Sequence, residues 1–382
     1  MLRPKRIEER LLRTRREDTL DTTASTQFGC SQLVLEAARR NVAKTTWDYI
    51  NGAAGSETTL RRNRYALDSY AFLPRVLRDV SKLDATTTVI GHKMRIPVIL
   101  APMGSMHLMH ATGAAGAAKA AGDFGIGHIM SSVARHAEEE VAGGNTGLKV
   151  YQLYIRGDLD WIKKRLDRAR KAGFTALTMT VDAAHYGIRD RQILNAFERP
   201  SKDMPDQDRD FQAAMTWGDM AAVKTYWGGP MILKGIATAA DARLAVEHGI
   251  EVVYVSNHGG RELDHGRGTL DMLPEIVEAV AGRAEVWIDG GFVRGTDIVK
   301  ALCLGARCVG IARLQAWAVC AGGAPAMLKV LENLEEEIRN CVGLIGATNL
   351  SQLGREYLTR VTPMGPWHEH ATFRHIGPSE IR

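Results

Sequence analysis

The sequence predicts an α/β fold: a (β/α)8 TIM barrel with an N-terminal helical segment and a long loop after the fourth strand. Three observations carry this prediction. Eight short apolar runs recur along the chain, segments of helical character rich in Ala, Glu and Arg lie between them, and the runs end in polar residues. Eight strands that all finish in polar groups point to one shared mouth, at the strand C-terminal ends where barrels build their sites.

In order, the predicted strands are Pro97–Met103, Gly125–Ser132, Leu148–Tyr154, Ala176–Asp182, Pro230–Gly235, Val252–His258, Glu285–Gly291 and Cys308–Arg313. Helical segments are expected at 158–172, 238–248 and 295–305, among others. Successive strand starts are mostly 22 to 33 residues apart, but the fourth and fifth are separated by 54. The excess contains ERPSKDMPDQDRDF, a polar, proline-bearing stretch read as a long loop over the mouth, either a lid or a surface excursion. A doubly wound sheet is the competing arrangement. No GxGxxG follows the first strand and no GxxxxGK[ST] occurs, which weighs against it.

The expected organisation is a basic arm over 1–30, a barrel over 31–360 and a tail over 361–382. The arm gathers Arg3, Lys5, Arg6, Arg10, Arg13, Arg15 and Arg16, interleaved with Glu8, Glu9 and Glu17, and reads as a solvated helix in preference to a subunit contact or an anionic-surface anchor. Net charge is only +5, from 49 Lys+Arg against 44 Asp+Glu, so nucleic acid is not an expected partner. The chain shows no signal-peptide apolar region, and no membrane span is expected. Five cysteines without a CxxC pair suggest reduced thiols in the cytoplasm and no structural zinc. His368, His370 and His375 of the tail lack a carboxylate or Cys to complete a metal set, so no metal is expected.

The chemistry concentrates in Val252–Asp264, VVYVSNHGGRELD, where a buried strand empties into His258 and Arg261. His258 is a candidate general base, and Asp182, ending the fourth strand, can orient its ring. Arg261 and Arg189 offer two planar forks for a substrate carboxylate. Lys234 is a fixed cation at the end of PMILKG, useful where negative charge develops. The Asp289-Gly290-Gly291 turn, with Gly310-Ile311-Ala312-Arg313, suits a phosphate-bearing cofactor. Singly, each has a plain structural reading as a satisfied polar group or a turn. Together they are costly to assemble at one rim without a charged ligand.

Those residues carry a family resemblance. From about Thr46 to about Gly346 the chain resembles the FMN-dependent 2-hydroxy acid oxidases and dehydrogenases, the group of glycolate oxidase, lactate oxidase and mandelate dehydrogenase. The matching segments are SNHGGRELD, QLY at 152–154, LKG at 233–235, DGG followed by RGTDIVKALCLGA, and WDYINGAAGSETTLRRN. The resemblance implies FMN as cofactor and oxidation of an L-2-hydroxy acid to the 2-keto acid. It makes His258 the base, removing either the hydroxyl or the carbon-bound proton, with Asp182 its partner. Arg189 and Arg261 then hold the carboxylate, helped by Tyr49, and Tyr154 bonds the substrate oxygen. Met103, Gly104, Ser131, Gln152, Thr180 and Lys234 match flavin contacts; Asp289, Gly290, Gly291, Ala312 and Arg313 match the phosphate end. Reduced FMN passes its electrons to oxygen, a quinone or a carrier protein, and a homotetramer is expected.

Departures from the family pattern are expected to bear on cofactor and substrate. Val293 stands where a phosphate-binding arginine is usual, so either the following Arg294 reaches the phosphate or FMN is held with one charge fewer. Ala312-Arg313-Leu314 and Asp182-Ala183-Ala184 replace the usual strand endings, while Val133 and Tyr186 reshape the substrate pocket. The long loop after the fourth strand, Val133 and the long tail motivate an alternative function, an FMN-dependent tailoring oxidase of a larger or amine-bearing substrate in a biosynthetic pathway. A non-catalytic flavin-binding protein is a third reading, opposed by His258, Asp182, Arg189 and Arg261.

Overall fold

A computed structural model of the chain describes residues 28–198, 210–365, 370, 372 and 373. Its centre is a closed barrel of eight parallel strands: β1 (Val98–Leu100), β2 (Gly127–Ser131), β3 (Lys149–Leu153), β4 (Ala176–Thr180), β5 (Met231–Ile236), β6 (Val252–Val255), β7 (Glu285–Ile288) and β8 (Cys308–Ile311). Each strand pairs with the next in sequence, and β8 closes on β1 through Val309 opposite Val98 and Ile311 opposite Leu100. The strands are buried along nearly their whole length, as expected of a parallel sheet covered by helices outside and packed side chains inside.

All eight predicted strands are present in order, with a shorter ladder than the apolar runs suggest. Met103, Tyr154, Asp182, His258, Asp289 and Arg313 lie just past the last paired residue of their strands. There the backbone leaves the barrel wall, and side chains are free to converge on the mouth.

Helices follow the strands: α4 (Gly113–Phe124), α5 (Glu138–Gly143), α6 (Leu159–Ala172), α7 (Trp217–Trp227), α8 (Ala239–Glu247), α9 (Thr269–Val280), α10 (Gly295–Cys303) and α11 (Arg313–Leu344). Three helices precede the barrel, α1 (Ser31–Asn41), α2 (Lys44–Asn51) and α3 (Thr58–Asp68). Helix starts obey local chemistry. Asp158 caps α6 by accepting from the Trp161 amide at 2.9 Å, and Thr238 caps α8 by accepting from the Asp241 amide at 3.1 Å.

The last helix departs from expectation. By length and composition α11 is apolar enough to cross a bilayer, yet 72% of its most apolar window is buried inside the fold. It is broken at Gly322 and Gly323, the latter at φ +64°, and it packs on α1 and α4. These contacts make it a core helix of the barrel's outer ring.

Of the long β4–β5 connection, 199–209 fall outside the described residues, and with them most of the proposed lid. The segment just beyond is anchored in the mouth. Buried Gln212 accepts from the Ile155 amide at 2.8 Å and donates to the Thr180 carbonyl at 2.9 Å. The basic residues of the arm, His368 and His375 also lie outside the described residues. His370 is buried between Trp47 and Trp317, its ring centroid 6.2 and 5.5 Å from theirs. Cys303, Cys308, Cys320 and Cys341 are buried free thiols; burial pushes Cys303, Cys320 and Cys341 up to about 12.

Candidate active site at the mouth of the barrel

One cavity opens at the C-terminal ends of the strands and gathers most of the predicted site. Tyr49, Met103, Gly104, Tyr154, Arg189, Lys234, His258, Arg261, Asp289, Gly290, Gly291, Ala312 and Arg313 all line it.

His258 sits in the tight turn after β6, at φ +57°, and its amide donates to Ser256 Oγ at 3.1 Å. A non-glycine residue in this left-handed region is held there by its surroundings. The ring spans two partners: Nδ1 is 3.0 Å from Asp182 Oδ1, and Nε2 is 3.4 Å from the Tyr154 hydroxyl. With Asp182 ionised, Nδ1 carries the proton, which leaves the Nε2 lone pair facing the cavity. Burial alone would raise the Asp182 carboxyl, but His258 and then Lys234 outweigh it and hold it below the usual carboxylate range. Gly235, at φ +113°, permits this close packing, since a Cβ there would lie 2.6 Å from the Asp182 Cβ.

Lys234, only 4% exposed, donates to Ser256 Oγ at 2.9 Å and pairs with Asp289 Oδ2 at 3.2 Å. Ser256 in turn donates to Asp289 Oδ1 at 2.6 Å. Burial would lower the Lys234 ammonium, but Asp289 and Asp182 raise it above its ordinary value, so a charged amine faces the cavity. Ser131, Gln152 and Thr180 do not line the cavity. They form a buried chain across β2, β3 and β4, in which Ser131 donates to Gln152 Oε1 at 2.8 Å and Gln152 donates to Thr180 Oγ1 at 3.0 Å.

Arg261 and Arg189 lie side by side. Arg261 directs Nη1 at the carbonyls of Tyr49, Ile50 and Gly52, at 2.7, 3.2 and 2.9 Å, with its guanidinium 5.1 Å above the Tyr49 ring. Burial and the neighbouring Arg189 lower its affinity for its proton. Arg189 donates from Nε to the Arg261 carbonyl at 3.0 Å, from Nη1 to the Tyr186 hydroxyl, and from Nη2 to Glu262 Oε1 at 2.7 Å. Tyr154 is kept protonated by burial, then by Glu262 and Asp182.

Gly290 and Gly291, at φ +112° and +88°, line the same cavity as Arg313, which donates to the carbonyls of Gly259 and Gly52 at 3.0 and 3.2 Å. Arg294 is not at the cavity. Its Nη1 donates to Glu337 Oε1 on α11 at 2.9 Å, and its guanidinium lies 5.1 Å over the Phe373 ring. Glu337 thus holds Arg294 on the outer helices, away from the cavity.

Several residues of the site escape the sequence reading. Glu262, which lines the cavity, and Ser256, buried on Lys234 and Asp289, sit inside the motif around His258 but draw no role from spacing alone, and the lining residues Arg64 and Gln212 come from distant segments. Arg64 lines the cavity while fully committed to Asp297, at 3.0 and 2.8 Å, and to Asp68.

These residues fit FMN. The small, mostly apolar wall of Ala101, Pro102, Met103, Gly104 and Val133 suits a flat ring, buried Lys234 suits its electron-rich edge, and Gly290, Gly291 and Arg313 suit a phosphate. Residues 38–360 match the family described as FMN-dependent dehydrogenase. The chain is 36% identical over 349 residues to L-lactate oxidase of Nostoc sp., covering 85% of this chain and 96% of that one. It is 35% identical over 342 residues to glycolate oxidase of Spinacia oleracea, covering 84% and 93%. A crystal structure of mandelate oxidase superposes with a TM-score of 0.81 at 33% identity, over 87% of this chain and 98% of that one. A mandelate oxidase variant solved with an FMN adduct reaches 0.79, also at 33% identity, over 87% of this chain and 99% of that one. The chain belongs to the FMN-dependent dehydrogenase family, is an enzyme of its 2-hydroxy acid oxidase group, and takes FMN as cofactor.

Proposed function

We propose that this enzyme oxidises an L-2-hydroxy acid to the 2-keto acid, with His258 as base and oxygen or another carrier as final acceptor. The observation that carries the reading is the placement of His258 Nε2, which faces the cavity beside Tyr154 while Nδ1 is fixed on Asp182. His258 takes a substrate proton at Nε2, and Asp182 stabilises the imidazolium that results. Tyr154 donates to the substrate oxygen, and Arg261, Arg189 and Tyr49 orient the carboxylate end. When bound, FMN supplies the acceptor for the electron pair that leaves the substrate carbon. Buried Lys234 stabilises negative charge that develops on the cofactor side of the cavity.

Anaerobic titration of the FMN-loaded protein with a panel of L-2-hydroxy acids tests this. One acid should bleach the flavin absorbance, and His258→Ala should remove the bleaching while FMN stays bound. Equal bleaching in the variant would sink the role of His258. The second reading, a tailoring oxidase of a larger or amine-bearing substrate, is favoured by a specific feature: the carboxylate of Glu262 inside the mouth, on Arg189.

A further inference from the structure

Glu262 is an unusual occupant of a site built for an acid. Its side chain is 8% exposed and pairs at 2.7 Å with Arg189, itself 4% exposed. Its other oxygen accepts the Gly187 amide at 2.7 Å, and Oε1 stands 4.0 Å from His258 Nε2. Gly187 is pressed so closely here that a Cβ would lie 2.3 Å from the Arg261 carbonyl. The carboxylate is thus held in place, within reach of any group bound against the base.

Charge and hydrogen-bonding capacity both bear on what this site accepts. All three nitrogens of Arg189 already have protein acceptors in Glu262, Tyr186 and the Arg261 carbonyl, whereas Arg261 commits only Nη1 among the described residues. Arg261, with Nε and Nη2 uncommitted among the described residues, is therefore the more open fork for a substrate carboxylate, while Arg189 keeps one N–H on each Nη beside it. Around the base the Arg189 and Arg261 guanidiniums face the Asp182 and Glu262 carboxylates, Lys234 is paired with Asp289, and Arg156 and Arg313 also line the cavity. A simple monoanion brings an uncompensated negative charge against Glu262 in a buried site, and a zwitterion does not.

We propose that Glu262 is a specificity-determining residue, selecting a 2-hydroxy acid whose side chain carries an ammonium group. The substrate carboxylate meets Arg261, and the ammonium meets the Glu262 carboxylate beside His258. The proposal rests on the hydroxy acid oxidation reading for its chemistry, but its charge selection is measurable without turnover.

The test uses FMN-loaded wild type, Glu262→Gln and Glu262→Asp. Matched pairs are compared: L-lactate with 3-amino-2-hydroxypropanoate, and 2-hydroxybutanoate with 4-amino-2-hydroxybutanoate, for flavin bleaching and kcat/KM. Propanoate and 3-aminopropanoate, which carry no reacting hydroxyl, are compared by calorimetric binding. Wild type should favour the ammonium member about tenfold or more, the worth of one charge-assisted contact. Glu262→Gln should lose that preference and gain on the simple acid, while Glu262→Asp keeps it. Equal weakening of both members by Glu262→Gln would show that Glu262 only positions Arg189, and would overturn the proposal. A wild type that prefers the simple acids would also overturn it. A binding preference that vanishes in Glu262→Gln, with no flavin bleached by any hydroxy acid, would uphold the charge selection and overturn the oxidation reading instead.

Discussion

The Asp182 carboxylate lies 3.0 Å from Nδ1 of His258, across 76 residues of sequence, and fixes which ring nitrogen faces the cavity. Its second oxygen is buried without a hydrogen-bond partner among the described residues, so its side-chain hydrogen bond goes to the histidine, while Lys234 acts on it through charge. Asp182→Asn should keep the fold and FMN binding but favour the wrong ring tautomer. A fall in kcat/KM of about 100-fold or more is expected, within the range set by proton-transfer groups. Steady-state rates together with the bound-flavin spectrum check it, and a loss below about threefold would deny Asp182 this role.

Gly235 provides the space that Asp182 occupies. Gly235→Ala adds a Cβ 2.6 Å from that side chain at a backbone angle of φ +113°. A destabilisation of about 1–3 kcal/mol is expected, together with a lower kcat from a displaced Asp182. Denaturant unfolding and single-turnover flavin reduction measure the two effects separately.

Arg313 and Arg294 should behave differently toward the cofactor. Arg313→Met should weaken FMN binding by about tenfold or more, since it removes a cation that lines the cavity. Arg294→Met should leave the Kd within about twofold, because that guanidinium is engaged with Glu337 in a partly exposed pair. Fluorescence titration of apoprotein with FMN distinguishes the two, and equal losses would place Arg294 at the phosphate after all.

The Arg64–Asp297 pair joins α3 to α10, with side chains 4% and 2% exposed. Arg64→Met strands a buried carboxylate and should cost about 3–5 kcal/mol. The double variant Arg64→Met with Asp297→Leu should recover much of that loss, because the buried carboxylate is gone and only the partly exposed Asp68 loses its arginine. Chemical denaturation of the FMN-loaded proteins supplies the comparison.

Asp264 ties the His258 loop to the start of α3, accepting from the Thr59 amide at 2.9 Å and from Ser56 Oγ at 2.8 Å. Burial would raise its carboxyl, but these bonds hold it down at about 2, below the ordinary 3.8. A depressed folded-state value means stability that is present above about pH 4 and lost as pH falls towards 2. Asp264→Asn should therefore be less stable than wild type at neutral pH, with the difference closing over that acid window. A gap that persists unchanged down to about pH 2 would contradict the assignment.

The barrel and the position of its mouth are written in the order of residues alone. Burial on both faces of a parallel strand forces a continuous apolar run, so all eight strands were readable, and polar residues such as Asp182, His258 and Asp289 could only fall where the runs stop. The same logic brings His258, Lys234, Arg261 and Arg313 to one rim from the sequence alone. How those charges pair was settled in three dimensions. Whether Arg294 turns to the phosphate end or to Glu337 depends on where α11 passes, and Glu337 lies 43 residues further along the chain. Ser256 becomes the junction between Lys234, Asp289 and the His258 amide only when β5, β6 and β7 stand in register. Glu262 reads in sequence as one more polar residue of a turn; the left-handed backbone at His258, Gly259 and Gly260 reverses the chain and aims its carboxylate at Arg189, 73 residues earlier. Periodicity records which residues are buried, while the pairing of buried charges depends on loop paths and strand register, which no local pattern encodes.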